Sequence, residues 1–315
     1  DLQDRGLHTN SPPSRSSNLE DCSVLHTPRS RRGMVTSPHH LASEAGLRVL
    51  REGGNAIEAT VAIAAALPVV YPHMTSIGGD GFWLVSMPGK DVIAIDACGG
   101  AGSLATPELY AKAGHKSIPW RGPLAANTVA GTIGGWGEAL KLSTELGGKL
   151  PLSRLVEDAA WHAEDGFVVT NSQAELTAQK LAELKPVPGF ADQFLAKGKA
   201  PKEGDLMRFP ALAATLKTLG KSGADDFYRG KLARKLAADL ARIGAPVTKD
   251  DLARHMAARR APLSVKVRAG QLFNFPPPTQ GLASLMILAL FDRLGVAEAD
   301  SFDYLHGIIE STKQA

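Results

Sequence analysis

An alanine-rich stretch, AIEATVAIAAALPVV at residues 56–70, constrains the fold most. A helix with small side chains on most of its faces can approach its neighbours closely, and we expect such a helix to be buried. Asn55 is a preferred N-cap residue and Glu58 stands three positions later, which is the pattern of a capping box. The preceding segment, HHLASEAGLRVLREGG, has apolar residues at helical spacing and ends at Gly53-Gly54. The sequence therefore predicts two consecutive helices.

A glycine-rich loop, YPHMTSIGGDGFWL, follows the second helix and leads into a strand. It lacks the Gly-Lys-Ser/Thr ending of a phosphate loop and the regularly spaced carboxylates of a calcium loop. The strand-like runs GFWLVSMP and DVIAIDACGG are separated by Pro88-Gly89-Lys90, which predicts an antiparallel hairpin. We expect Gly78, Gly79 and Gly81 to let the backbone pass close to another element, with no need of a ligand.

Most of the remaining chain has helical periodicity, with strand character again near Ala269-Gly270, so we expect a mixed α+β protein with a substantial helical region. The 315 residues suffice for one large domain or about two ordinary ones. The net charge of +3 gives no indication of a nucleic-acid or membrane surface. The alanine-rich run is too short to span a bilayer and carries Glu58.

The two ends of the chain differ from its centre. Residues 1–33 are rich in Ser, Pro and Arg without apolar periodicity, which predicts a flexible arm, with a basic docking arm as the alternative. Residues 34–315 are predicted to be globular. Because the sequence stops within an apolar-periodic helix, we expect an incomplete fold. The absence of a signal-peptide pattern favours the cytoplasm, with a periplasmic or secreted location as alternatives. Cys22 and Cys98 are expected to be reduced, with a single disulfide between them as the alternative.

No catalytic constellation is visible from residue types and spacing alone. The chain has no HExxH or Cys-x-x-Cys motif, and Ser76 is not in a Gly-x-Ser-x-Gly elbow. His73 follows Pro72 in a turn, where its ring is expected to satisfy a backbone group. Cys98 has no basic neighbour in sequence to lower its thiol pKa, which favours a small buried cysteine. Asp96 lies on the same strand face as Cys98 if the strand continues.

An ordered set of segments nevertheless resembles the large subunit of the γ-glutamyltransferase family. The set comprises PHHLASEAGLRVLREGGNAIEATVAIAAALPVVYPHMTSIGGDGFWLV, AIDACGGAGSLATPELY, LAANTVAGTIGGWGEAL, DDFYRGKLARKL, VTKDDLARH, FNFPPPTQGLASLMIL and YLHGIIESTKQA. Together these segments extend from about Met34 to the end of the chain. Each segment alone is a weak signal, and their order makes the resemblance specific.

The resemblance implies an N-terminal-nucleophile hydrolase with an αββα sandwich, of which this chain is the large-subunit part. In that family a precursor cleaves itself, and the freed threonine of the small subunit becomes the nucleophile. No catalytic residue is therefore expected in this chain, nor a metal or cofactor. The implied partners are the small subunit of the same precursor and a small amide substrate. A dimer of such heterodimers is one assembly left open.

One departure from the family pattern bears on the substrate. Typical transferases resembling this chain have an arginine where it has Cys98, and that arginine holds the α-carboxylate of the glutamyl group. The motif DACGG therefore favours the divergent amidohydrolase branch, which includes oxamate amidohydrolase and related acylases. The alternatives are a γ-glutamyltransferase that takes its cation from elsewhere, such as Arg121, and an inactive relative with a binding role. Asp80, in a position where glycine is commoner, is either a carboxylate of the site wall or a solvated loop residue.

The predicted substrate-binding residues lie in the glycine loop and at the end of the second strand, with one histidine nearby. They are His73, Gly79, Asp80, Asp96, Cys98 and Gly99.

Overall fold

The computed structural model describes residues 28–315, and the chain divides into the units Asp1–Met34 and Val35–Ala315. The predicted arm over residues 1–33 lies for the most part outside the described residues, as does Cys22, and the assignment of that arm stays a prediction. Cys98 has a free thiol. Because Cys22 lies outside the described residues, the expected reduced state of the pair stays a prediction.

Helices make up most of the regular structure in Val35–Ala315. They are α1 (His40–Arg51), α2 (Ala56–Val70), α3 (Pro107–Lys112), α4 (Thr132–Glu145), α5 (Leu152–Leu155), α6 (Glu157–Asp165), α7 (Asn171–Leu184), α8 (Phe190–Phe194), α9 (Pro210–Ser222), α10 (Asp226–Arg229), α11 (Lys231–Ile243), α12 (Lys249–Arg254), α13 (Gly281–Leu294) and α14 (Phe302–Gln314). The strands are β1 (Gly81–Val85), β2 (Ile93–Ala97), β3 (Phe167–Val168), β4 (Leu206–Met207), β5 (Ala258–Arg260), β6 (Leu263–Val267) and β7 (Gly270–Asn274).

The predicted pair of helices is confirmed as α1 and α2. Asn55 accepts hydrogen bonds from the backbone of Ile57 and Glu58, while Glu58 accepts one from the Asn55 backbone, so the capping box is complete. Gly53 has φ of 90°, the left-handed conformation that ends α1 without a steric penalty. Most of α2 is buried, because its small side chains allow α1, α4 and α6 to pack directly against it.

The predicted hairpin is confirmed as β1 and β2, which pair antiparallel with Phe82 opposite Asp96. The strand β5 adds to the other side of β2, so the order in this sheet is β1-β2-β5 and β1 is an edge strand. The strands of two further hairpin-like pairs, β3-β4 and β6-β7, form separate two-stranded sheets.

The two faces of the three-stranded sheet differ in what covers them. Trp83 and Ile95 project towards α4 and pack with Ala139 and Leu142. On the opposite face, Phe82 is 42% exposed and meets Phe275 edge-on at 5.2 Å between ring centroids. The sheet is therefore covered by α4 on one face, and its other face is partly open. In the described residues, no helix is both long and apolar enough to cross a bilayer.

Candidate functional site

The end of β2 is shaped by the side chain of Asp96. Its Oδ1 accepts a hydrogen bond from the backbone N–H of Cys98 at 3.0 Å, and its Oδ2 accepts one from Arg260 Nε at 2.8 Å. When an aspartate side chain accepts a hydrogen bond from the backbone N–H two residues later, the chain turns out of the strand. The strand consequently ends at Ala97, so the condition under which Asp96 and Cys98 would share a strand face is not met.

The glycine-rich loop is tied to the same point by Asp80. Asp80 Oδ1 accepts a hydrogen bond from the Gly99 backbone at 2.8 Å, and its Oδ2 lies 3.7 Å from Cys98 Sγ. The carbonyl oxygen of Gly79 accepts bonds from the backbone N–H groups of Gly131 and Thr132 and from the Thr132 hydroxyl. The loop is thus held both to the end of β2 and to the start of α4.

These contacts define a group that we call the Cys98 cluster. Its members are Asp80, Asp96, Cys98, Gly99 and Arg260.

The backbone of Gly79 approaches the start of α4, but the positions at which a Cβ would not fit are not the glycines that the sequence indicated. A Cβ atom on Gly99 would overlap the backbone carbonyl of Val129, and one on Gly131 would overlap that of Ala97. At Gly79, by contrast, no atom of the described residues lies within 4 Å of such a Cβ. Gly78 and Gly81 likewise meet only contacts at ordinary van der Waals distance, so the prediction of close packing at Gly78, Gly79 and Gly81 is wrong.

The thiol of Cys98 is held in its neutral form. Its burial, and then the carboxylates of Asp80 and Asp96, raise the pKa of Cys98 above its ordinary value. A nucleophilic cysteine needs the opposite shift, since the thiolate is the reactive species. Cys98 is therefore suited to donate a weak hydrogen bond to Asp80 and unsuited to attack a carbonyl.

A cleft of about 500 Å³ runs along the edge strand β1. Its walls include Thr60 of α2, Asp80 and Trp83 beside the loop, and Thr132 and Trp136 of α4. Asp80 belongs to both the cleft and the Cys98 cluster, so the glycine loop connects the two.

His73 lies apart from the Cys98 cluster, whereas four of the other five predicted residues belong to it and the fifth, Gly79, is bonded to the start of α4. Its Nε2 is 3.2 Å from the hydroxyl of Ser172, and its ring meets that of Tyr71 at 4.3 Å. Between Pro28 and Ala315, no hydrogen bond joins His73 to the cluster, and its buried Nδ1 has no partner. The expectation that the ring satisfies a backbone group is therefore wrong.

His73 belongs instead to a second group, the histidine cluster, formed by His39, His40, His73 and His162. The rings of His39 and His40 stack at 4.7 Å. His39 Nδ1 accepts the N-cap hydrogen bond of Leu41 at 3.2 Å, and its buried Nε2 has no partner in the described part of the chain. Burial, and then the charges that His40, His162 and His73 would carry, lower the pKa of His39 to about 4. Within residues 28–315, no group of three His, Cys, Asp or Glu is arranged to hold a metal ion.

Arg121 does not supply a cation to Cys98. Its Nε pairs with Glu183 at 2.8 Å, and it lines a different cleft beside His73. The arginine that does join the cluster is Arg260, 164 residues after Asp96 in sequence. Sequence reasoning missed it because the pairing of β5 with β2 is a long-range contact that no local pattern announces.

Comparison with known proteins places this arrangement in a family. The model described as Gamma-glutamyltranspeptidase matches residues 42–315. The chain is 55% identical over 287 residues to the oxamate amidohydrolase proenzyme of Klebsiella pneumoniae subsp. pneumoniae, an alignment that covers 91% of this chain and 54% of that protein. It is 32% identical to the glutathione hydrolase proenzyme of Escherichia coli, over 90% of this chain and 50% of that protein.

The fold agrees with a solved structure of the same kind. The crystal structure of Helicobacter pylori γ-glutamyltranspeptidase matches with a TM-score of 0.83 at 31% identity, over 91% of this chain and 83% of that one. The chain spans about half the length of the curated relatives it matches. Its mixed α+β structure matches the large-subunit part of the N-terminal-nucleophile-hydrolase fold, and the chain belongs to the γ-glutamyltranspeptidase family.

Proposed function

We propose that this chain is the large-subunit portion of a self-processing amidohydrolase that acts on a small amide such as oxamate. The observation that carries the proposal is the 55% identity to an oxamate amidohydrolase proenzyme over 91% of the chain. The partner in this proposal is a small subunit cut from the same precursor, which carries the nucleophilic threonine. The neutral thiol of Cys98 supports a nucleophile supplied by the small subunit, because an un-ionised thiol leaves the Cys98 cluster without a nucleophile of its own.

The proposed reaction proceeds in two steps. The threonine hydroxyl oxygen attacks the amide carbonyl carbon, while the threonine's own amino group takes the hydroxyl proton and passes it to the departing nitrogen. The carbon–nitrogen bond breaks, ammonia leaves, and an acyl ester remains on the threonine. Water then attacks the ester carbon, and the same amino group takes a proton from the water and passes it to the threonine oxygen as the bond between that oxygen and the acyl carbon breaks. The acid is released and the hydroxyl is restored.

The residues of this chain supply a wall of the substrate site in this proposal. Asp96 and Asp80 fix the backbone at Cys98 and Gly99, and Gly79 anchors the loop to α4. In this proposal the Cys98 side chain, which is shorter than the arginine of typical transferases, leaves room for an acyl group shaped differently from a glutamyl group. His73 is not included, because its contacts run to Tyr71 and Ser172.

Glutathione hydrolysis is the second candidate, favoured by the 32% identity to the Escherichia coli enzyme. Against it stands the chemistry at Cys98, where a thiol beside the Asp80 carboxylate offers no bidentate partner to an α-carboxylate. An α-carboxylate held at Cys98 would lack a cation there, because the guanidinium of the cluster, Arg260, is bonded to Asp96 and to neither Asp80 nor Cys98. A buried carboxylate without a partner costs the substrate a few kcal/mol of binding free energy.

The test uses the full-length precursor with its small subunit. Ammonium release from oxamate and aniline release from a γ-glutamyl anilide are measured, with the junction threonine changed to alanine as the control. We expect kcat/KM for the glutamyl substrate to be at least about 100-fold below that for oxamate. The reverse preference would support glutathione hydrolysis, and a precursor that neither cleaves itself nor turns over either substrate would support an inactive binding protein.

A single substitution tests the role of position 98. Cys98→Arg introduces a guanidinium beside Asp80, and we expect it to raise γ-glutamyl turnover relative to the parent enzyme. Cys98→Ser is the matched control, since it changes the thiol without adding a charge. Equal glutamyl turnover in both variants would count against the argument from the missing arginine.

A further inference from the structure

The strand β5 presents two consecutive arginines to opposite faces of the sheet. Arg259 projects to the face covered by α4, where it pairs with Glu138 and with both carboxylate oxygens of Glu145. Arg260 projects to the other face, which is partly open, where it reaches Asp96. The alternation follows from strand geometry, in which successive side chains point to opposite faces.

The guanidinium of Arg260 is only partly used. Nε donates to Asp96 Oδ2 at 2.8 Å, whereas neither terminal nitrogen makes a hydrogen bond or ion pair with any residue between 28 and 315. The side chain is 56% exposed, compared with 32% for Arg259. A guanidinium has five donors in a fixed fork, so a side chain held through Nε can still offer two parallel donors to a carboxylate.

The charges around Cys98 decide where an anion can lie. Asp80 and Asp96 bring two carboxylates to the thiol, and these repel a negatively charged acyl group. Among the described residues, Arg260 is the one arginine or lysine hydrogen-bonded to either carboxylate. An anionic substrate is therefore favoured on the Arg260 side of the cluster and disfavoured at the thiol.

We propose that Arg260 is a specificity-determining residue that binds the carboxylate of an anionic amide substrate, with Asp96 as the positioning residue that aims its guanidinium. This inference rests on the proposed function, because it assigns the substrate class of the same site. Oxamate carries a carboxylate next to its amide carbonyl, so the anion it presents is short and planar. Such a group matches the fork geometry of a guanidinium.

The experiment compares an anionic substrate with its neutral counterpart. Oxamate and oxamide are assayed with the processed full-length enzyme and with Arg260→Gln, with Arg259→Gln as the matched control on the covered face. We expect Arg260→Gln to raise KM for oxamate about 10- to 100-fold, which is the effect of losing a charge-assisted hydrogen bond, and to leave KM for oxamide nearly unchanged. Arg259→Gln is expected to alter neither KM.

A conservative variant covers the case in which Arg260→Gln does not accumulate. Arg260→Lys keeps the charge and loses the fork, so KM for oxamate should rise less than in the glutamine variant, by about 3- to 10-fold. Equal changes for oxamate and oxamide, or no change in either, would show that Arg260 serves only the sheet and would overturn the inference.

Direct binding separates this inference from the proposed function. The affinity of oxalate for the processed enzyme is measured by calorimetry, with and without Arg260→Gln. Binding that depends on Arg260 without any turnover of oxamate would sink the proposed function and leave the inference standing. The inference would be overturned if the parent enzyme and Arg260→Gln turned over oxamate equally well, or if the parent enzyme did not bind oxalate.

Discussion

The Cys98 cluster and the histidine cluster hold ionisable groups in opposite ways. In the Cys98 cluster, each carboxylate accepts a backbone N–H, and Asp96 also accepts a bond from a guanidinium. In the histidine cluster, His39 and His73 each keep a buried ring nitrogen that has no partner in the described residues. A satisfied carboxylate fixes the local backbone, whereas a buried, unpaired imidazole is stable only while it stays neutral.

The contrast teaches that rigidity and pH sensitivity are separate in this molecule. The wall around Cys98 depends on how closely two backbone segments approach each other. The start of α1 depends on the protonation state of one ring. Substitutions that change only the backbone approach near Cys98, or only the protonation of His39, can test whether the two are independent.

The largest expected effect is that of Gly99→Ala. The added methyl group overlaps the Val129 carbonyl, and a backbone cannot give way as a side chain can. We expect a loss of more than about 3 kcal/mol in the free energy of unfolding, measured by urea denaturation, or a failure to accumulate soluble protein.

The neighbouring glycine provides the control for that substitution. No atom lies within 4 Å of a Cβ on Gly100 among the described residues, so Gly100→Ala should change stability by no more than about 0.5 kcal/mol. Equal losses in the two variants would show that this turn requires glycine for a reason other than the approach of Val129.

The second effect concerns pH and His39. Its pKa is about 4 in the folded chain and 6.5 in the unfolded chain, so the unfolded state binds the proton more readily as pH falls. The stabilising contribution is thus fully present above pH 6.5 and is lost as pH falls towards 4. Protonation also places a hydrogen on Nδ1, which then can no longer accept the N-cap bond from Leu41.

The variant His39→Asn isolates this contribution, since asparagine is a good N-cap residue that does not titrate. Urea unfolding of the parent and the variant is compared at pH 7.5 and pH 4.5. We expect the stability lost over this interval to be smaller in the variant by about 2 to 3 kcal/mol. Identical losses would mean that other groups carry the acid sensitivity, among them His73 and His162, whose pKa values are also lowered by burial.

The smallest effect is expected from Asp80→Asn. The amide oxygen can still accept the Gly99 bond, so stability should change by less than about 1 kcal/mol. Removal of the negative charge beside the thiol lowers the pKa of Cys98 and increases the thiolate fraction.

Alkylation by iodoacetamide between pH 7 and pH 10, followed by peptide mass spectrometry, measures that change. We expect Cys98 to react about 3- to 10-fold faster at pH 8 in the variant, since one pKa unit is a tenfold change in thiolate. The Cys22 peptide provides an internal reference in the same sample. An unchanged rate would show that Asp80 does not contribute and that the Cys98 pKa is set by the remaining causes, burial first and then Asp96.

Local sequence signals were sufficient for the elements that frame the site. The capping residues Asn55 and Glu58 and the turn at Gly53 predicted α1 and α2, and the turn between two β-rich runs predicted β1 and β2. The ordered motifs predicted the family and the large-subunit fold. These features depend on neighbours within a few residues, or on a sequence of segments that the chain itself displays.

The partners of the site residues required the folded structure. Which glycines are essential depends on Val129 and Ala97 lying against Gly99 and Gly131, and this is a property of two segments that meet only after folding. For this reason the sequence could not show that close packing occurs at Gly99 and Gly131 and not at the glycines of the loop.

What the sequence by itself determined was local: where helices begin and end, which runs form a hairpin, and the family to which the order of motifs belongs. Only the tertiary structure decided that Arg260 and not Arg121 reaches Asp96, and that His73 lies with His39 and not with Cys98. The physical reason is that hydrogen bonds and charges act over a few ångströms in space, and the segments that carry them are up to 164 residues apart along the chain.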